Sequence, residues 1–137
     1  MENMLTIGQL AKLTNTTPVA IRYYEREGLI PKSTRSKGGY RLYPKELVPR
    51  FCFIQNAKSV GFSLDEIKEL LSLQQRKNLK SQAVKNITQS KIDEIKDKIK
   101  TLNKMQEALM QWTAACDGKV STEDCPILEQ LCQPSTK

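Results

Sequence analysis

From Lys80 to Ala115 the chain contains neither proline nor glycine. Along that stretch Ile92, Ile95, Ile99, Leu102 and Leu109 recur at alternating spacings of three and four, with polar Gln106 in one seat of the repeat. An apolar residue every 3.5 positions is the seam of a coiled coil, because supercoiling keeps that repeat turned toward a partner helix. A continuous helix here would be roughly 54 Å long, more than the core of a small domain can cover. The stripe therefore predicts pairing with a second copy, an intramolecular packing face being the alternative. In a chain of 137 residues this leaves 1–75 for one small domain, 80–115 for the dimerisation helix and 116–137 for an appendage.

The N-terminal part punctuates itself into short helices. Thr6-Ile7-Gly8-Gln9 is a Thr-x-x-Gln capping box, opening a helix whose expected apolar face is Ile7, Leu10, Ala11 and Leu13, and which Thr14-Asn15-Thr16 ends. Thr17-Pro18 then supplies an N-cap and a first-turn proline. Val19, Ala20, Tyr23 and Tyr24 run along a second helix to Glu27, before Gly28 stops it. Two helices so joined form a helix-turn-helix. The second carries Arg22, Tyr23, Tyr24 and Arg26, guanidinium forks and phenols that can reach bases and phosphates. Residues 35–43 read as a hairpin with Gly38-Gly39 at its turn and Tyr40 and Leu42 on one face. As a wing, it would bring Arg35, Lys37 and Arg41 to phosphates beside the groove. Pro44 is expected to begin a helix to about Val60, with Leu47, Phe51, Ile54 and Ala57 inward. Pro49 predicts a kink or a later start. Ser63-Leu64-Asp65-Glu66 is a second capping box, ahead of a stripe of Leu64, Ile67, Leu70 and Leu71.

Charge follows the same division. Residues 1–60 hold 10 basic and 4 acidic side chains, a net of +6, against 12 and 11, a net of +1, from 61 to 137. The N-terminal half is thus suited to a polyanion. The chain has no histidine, which removes the usual general base, the Ser-His and Cys-His pairs and every imidazole metal site. No glycine-rich phosphate loop is present, and an enzyme is not expected. The apolar runs fall short of a bilayer span, and Met1-Glu2-Asn3-Met4 lacks a signal-peptide layout, so the expectation is a cytoplasmic protein with no membrane partner.

In their order and wording, Thr6-Ile7-Gly8-Gln9-Leu10-Ala11, Ala20-Ile21-Arg22-Tyr23-Tyr24-Glu25, Gly28-Leu29-Ile30, Gly39-Tyr40-Arg41-Leu42-Tyr43 and Gly61-Phe62-Ser63-Leu64-Asp65-Glu66-Ile67 resemble the MerR family of bacterial transcription regulators. The resemblance implies a mainly α fold: a winged helix-turn-helix domain, a long antiparallel coiled coil forming a homodimer, and a metal-binding loop with a short helix. It further implies double-stranded promoter DNA and RNA polymerase holoenzyme as partners. Effector binding would make the dimer bend and untwist an overlong promoter spacer, with indirect readout serving as the switch. By analogy Arg22 and Tyr24, Arg35, Tyr40 and Arg41 in the wing, and Lys58 near the next helix end are candidate DNA contacts, as is Lys37. Tyr23 is a candidate both for contact and for packing in the small core.

Four cysteines remain, and spacing distinguishes them. Cys52 lies in a helical apolar pattern and reads as a core residue. Cys116 and Cys125 bracket eight residues just after the coil, and Cys125-Pro126-Ile127-Leu128 opens a short helix whose first-turn amides favour thiolate. Two such thiolates suit Cu(I), Ag(I), Au(I), Hg(II), Cd(II), Pb(II) or Zn(II). Ala115-Cys116 and Asp124-Cys125-Pro126-Ile127-Leu128 resemble the loop of the metal-responsive MerR proteins. The four-cysteine superoxide-sensing branch and the larger drug-sensing members do not fit. Divalent-ion sensors carry another cysteine where this chain has Ser81, and serine there resembles the copper, silver and gold sensors. Lys85, one turn on, resembles the lysine that offsets negative charge in those sensors, and it occurs in some zinc sensors too. The loop length points the other way, being one residue longer than is common in copper sensors and usual in mercury, zinc and lead sensors. Cys132 is an extra ligand if the tail folds back and otherwise a surface thiol. Cu(I)-like ions are favoured, with a divalent-metal sensor or a thiol–disulfide redox-sensing transcription factor as alternatives.

Overall fold

Thr6 opens the first helix of the computed structural model, which describes residues 3–134. Its hydroxyl accepts from the Gln9 amide at 3.2 Å while Gln9 Oε1 accepts from the Thr6 amide at 2.9 Å, so both halves of the capping box are made. Helix α1 spans Ile7–Leu13. Thr14 ends it, its buried hydroxyl donating to the Leu10 carbonyl at 2.7 Å. Thr17 caps α2 (Pro18–Arg26) by accepting from the Ala20 amide. At its end Gly28, at φ +79°, allows the Leu29 amide to reach the Tyr24 carbonyl and its own amide to reach that of Glu25. This is a Schellman ending, and it needs a left-handed residue that glycine adopts without strain.

The hairpin is one part of a larger sheet. Strands β1 (Met4–Thr6), β2 (Thr34–Arg35) and β3 (Arg41–Pro44) form an antiparallel sheet in the order β1-β3-β2. Leu5 lies opposite Tyr43 and Thr34 opposite Leu42. The sequence pattern predicts no strand at Met4–Thr6 and a helix start at Pro44, which the structure makes the last residue of β3. Helix α3 runs Leu47–Ser59. Pro49 thus falls in the first turn, where its missing N–H has no intrahelical partner to lose; the later start is the observed outcome. Ser63 and Glu66 make the second capping box and open α4 (Leu64–Gln75).

The core under these elements joins Leu10, Ile21, Leu29, Tyr43, Phe51, Ile54 and Ile67, all fully buried. The expected inward face of α3, Leu47, Phe51, Ile54 and Ala57, is buried as read. Other expected faces are corrected. Leu13 and Val19 are exposed, because Thr14 turns inward at the end of α1 and Ile21 and Tyr24 carry the inner face of α2. On the hairpin Tyr40 is exposed and Tyr43 buried, since Tyr40 precedes the strand and pleating turns Tyr43 inward. Cys52 is exposed, being one helical step of about 100° from the buried Phe51.

The described chain divides into two compact units, one through Asn86 and one from Ile87. Helix α5 (Gln82–Ala115) has 34 residues, about 51 Å of helix. Its stripe residues Ile92, Ile95, Ile99, Leu102 and Leu109 are between 38% and 60% exposed. On its polar side Glu94 accepts from Lys91 at 2.8 Å and lies 3.3 Å from Lys98. A loop with a 3₁₀ turn at Thr122–Asp124 then leads to α6 (Pro126–Leu131).

Candidate nucleic-acid interface and metal centre

Helix α2 and the wing enclose a cleft of about 310 Å³ lined by Val19, Arg22, Glu25, Arg26, Lys32 and Arg41. Four cations around one carboxylate make it strongly positive, the charge pattern that seats a phosphate backbone. Lys32 was not singled out from sequence. It lies in the α2–β2 loop outside any motif, and only its place in the basic N-terminal half could have flagged it. Arg22 is exposed on α2, and Lys37 and Tyr40 are exposed in the wing. The Arg35 guanidinium donates to the Gly39 carbonyl at 2.9 Å, bracing the turn that Gly39 makes at φ +84°.

The two tyrosines, both candidate DNA contacts and Tyr23 a candidate for the core as well, differ in exposure. Tyr24 is buried, with its ring edge-on to Phe51 at 5.8 Å, whereas Tyr23 is 37% exposed with the Arg26 guanidinium 6.0 Å from its ring. Lys58, also read as a DNA contact, donates to the Tyr24 hydroxyl at 3.1 Å. Tyr24 is therefore a core residue whose polar tip meets Lys58.

Glu25 was missed as a site residue. Its carboxylate accepts from the Ser33 amide at 2.8 Å, the Ser33 hydroxyl at 3.0 Å and the Tyr43 hydroxyl at 2.7 Å. Partial burial pushes its pKa up, but these bonds and the nearby Arg41 charge together hold it below the ordinary carboxylate value. The same contact, with burial as the larger cause, pushes the Tyr43 phenol up.

In the second unit Cys116 follows directly on α5 and Cys125 is the N-cap of α6. Between them Asp117 accepts from the Lys119 amide at 2.8 Å and Gly118 sits at φ +79°, a turn that folds the loop back. Both cysteines are half-buried. The Leu128 amide is the largest influence on Cys125; partial burial opposes it, the Ile127 amide and the Cys116 thiol add to it, and the Cys125 thiol ends below its ordinary pKa. The loop thus brings the two sulfurs together, with one biased toward thiolate. Beside them a cavity of about 220 Å³ is lined by Ala114, Cys116, Asp117, Val120, Asp124 and Pro126.

Among the described residues no group of three or more Cys, Asp or Glu side chains converges as a metal cage. Cys132, the C-cap of α6, is exposed and joins no such group, and the tail from Ser135 lies outside the described residues. Ser81 and Lys85 share the turn that opens α5, the Lys85 amide donating to the Ser81 carbonyl at 2.9 Å. Two adjacent soft sulfurs without a cage of oxygens fit a thiophilic ion and do not fit Ca(II) or Mg(II).

Residues 5–74 match the model of the MerR HTH family regulatory proteins, and residues 48–112 match a second model, "MerR, DNA binding". The chain is 42% identical over 127 residues to the HTH-type transcriptional regulator CueR of Vibrio cholerae, covering 93% of this chain and 91% of that one. It is 39% identical over 130 residues to the HTH-type transcriptional regulator ZntR of Escherichia coli, covering 93% and 92%. The crystal structure of the transcription regulator PbrR691 of Ralstonia metallidurans in complex with lead(II) superposes with a TM-score of 0.82 at 33% identity, over 93% of this chain and 98% of that one. The chain therefore belongs to the MerR family of helix-turn-helix transcription regulators, which are not enzymes, and to its metal-responsive branch.

Proposed function

We propose that this chain is a metal-responsive transcription activator that holds promoter DNA through α2 and the wing and a thiophilic effector ion through Cys116 and Cys125, with Cu(I), Ag(I) and Au(I) preferred. The observation that carries the reading is the pair of adjacent thiols, which among the described residues belong to no group of three or more Cys, Asp or Glu side chains able to hold a metal ion. A monovalent ion is satisfied by two thiolates, whereas Zn(II) or Cd(II) requires about four ligands and would have to recruit Ser81, Cys132, backbone or water. Two thiolates and a monovalent cation leave one net negative charge, for which Lys85 is the proposed counter-charge. A divalent sensor for Zn(II), Hg(II), Cd(II) or Pb(II) is the second reading, favoured by the eight-residue loop and by the similarity to ZntR and to the lead(II)-bound regulator.

The remaining parts follow from the same reading. A homodimer through α5 accounts for the exposed apolar stripe, and residues 1–75, 80–115 and 116–137 would serve as DNA-binding, dimerising and sensing segments. An ion shared by the two sulfurs would offset part of their charge and tie the loop ends together. The protein would then favour the conformation that distorts the promoter for RNA polymerase, the cost of deforming DNA being offset by contacts available in that state alone. Similarity to regulators that carry the same architecture supports the cytoplasm as its location, and no helix among the described residues is long and apolar enough to cross a membrane.

The test is anaerobic titration of the reduced protein with Cu(I), Zn(II) and Hg(II) in competition with chelators, read against transcription in vitro. Activation by tightly bound Cu(I) and not by Zn(II) is expected. Activation by a divalent ion alone would establish the second reading, and activation by diamide in metal-free protein would establish a redox sensor instead.

A further inference from the structure

The Glu25 carboxylate stands among Arg22, Arg26, Lys32 and Arg41 at the cleft, where a negative charge opposes DNA. Its bonds are what make it informative. Ser33 lies at the entry to β2 and Tyr43 lies within β3, so one side chain on α2 ties together both strands of the wing. The backbone of β3 packs chiefly against β1, β2 and α1 rather than against α2. The carboxylate thus supplies a polar link between the two elements that would enter different parts of the DNA surface. We propose that Glu25 is a positioning residue for operator recognition, fixing the angle between α2 and the wing through Ser33 and Tyr43.

This rests on the docking of α2 and the wing proposed above. If the two must meet their grooves together, the angle between them has to be set before binding, or operator affinity is lost to ordering on the DNA. Non-specific binding, which needs charge without register, does not depend on that angle. Glu25 therefore opposes two effects. Replacing Glu25 by Gln removes a negative charge beside the DNA, which by itself tightens binding to any sequence. It also weakens the charge-assisted network between α2 and the wing, which loosens binding to the operator alone.

The experiment selects an operator for the wild-type protein from a random-sequence duplex pool, then measures affinity for it and for a scrambled duplex of equal length. For Glu25→Gln the expected result is about a tenfold loss on the operator, the scale of one hydrogen bond to a charged group, with scrambled-duplex affinity unchanged or higher. Tighter or unaltered binding to both duplexes would overturn the proposal, as would equal loss on both. If Glu25→Gln does not fold by circular dichroism, Tyr43→Phe decides, since it removes one hydroxyl and keeps the buried ring. A selective operator loss of a few-fold supports the link, and none overturns it. Arg22→Ala separates the two layers. Full operator binding by that variant would remove the docking itself, and this proposal with it, whereas lost binding leaves Glu25 to be judged on its own result.

Discussion

At the scale of single residues the informative groups are those whose chemistry is set by a neighbour. Cys125 is one, because the Leu128 amide and then the Ile127 amide and the Cys116 thiol stabilise its thiolate against partial burial. A folded pKa below the unfolded one means that this stabilisation is complete above the unfolded thiol's pKa and is lost as pH falls through the folded value. Ion binding should weaken over the same fall, since protons then compete for the sulfur. Alkylation by iodoacetamide, followed by mass spectrometry as a function of pH, is expected to show a lower midpoint for Cys125 in the native protein than in the same protein unfolded in urea. Cys116→Ala should raise that midpoint only part of the way, because the amides hold the larger share. Equal midpoints for Cys125 in the native and the unfolded protein would mean that the amides do not act on the sulfur. Glu25 follows the same sign: the stability its bonds provide is complete above the ordinary carboxylate range and disappears as pH drops below it.

At the scale of elements, caps act where the apolar faces alone leave helix ends undefined. Ser63 accepts from the Glu66 amide at 3.2 Å and Glu66 returns the bond to the Ser63 amide at 2.8 Å. Ser63→Ala is expected to cost about 1 kcal/mol and to lower the melting temperature by roughly 4–8 °C for a domain of this size, measured by circular dichroism. An unchanged melting temperature would show that packing of Ile67 and Leu71 alone sets the start of α4. Both capping boxes, the Thr17-Pro18 start and the Gly28 stop were legible because each is a local hydrogen-bonding rule written in adjacent residues. The inner face of α3 was legible for a related reason, its spacings of four, three and three leaving one choice of face. Strand β1 was not legible. Three residues have no periodicity, and they become a strand only by pairing with Tyr43 and its neighbours some forty positions on. Tyr23 and Tyr24 differ by one helical step, and which is covered depends on residues distant in sequence, Phe51 and Lys58 among them. The spacing of Cys116 and Cys125 across one loop leads to the proximity of their thiols, whereas no spacing leads to the bonds of Glu25, since its partners Ser33 and Tyr43 come from other elements.

At the scale of the whole molecule, charge and the exposed stripe make a joint prediction. The first 60 residues carry +6 and the remainder +1, so in a dimer the basic end of each chain would bring its own set of phosphate contacts. A helix with Ile95, Ile99 and Leu102 exposed leaves a seam that a second copy of α5 would cover. If that seam holds the dimer, Ile99→Glu with Leu102→Glu places charges in it and should yield monomers in sedimentation equilibrium, without loss of the cores of α1 to α4. The consequence for DNA is quantitative. The slope of log affinity against log salt is about −0.9 per phosphate neutralised, and a monomer presents one basic domain where the dimer presents two. The variant is therefore expected to bind a long non-specific duplex with about half the wild-type salt slope and to lose operator binding much more steeply, because the second domain no longer binds at the effective concentration that linkage provides. A monomeric variant with an undiminished salt slope would show that one basic domain makes all the phosphate contacts. A variant that remains dimeric would place the dimer contact elsewhere than the seam.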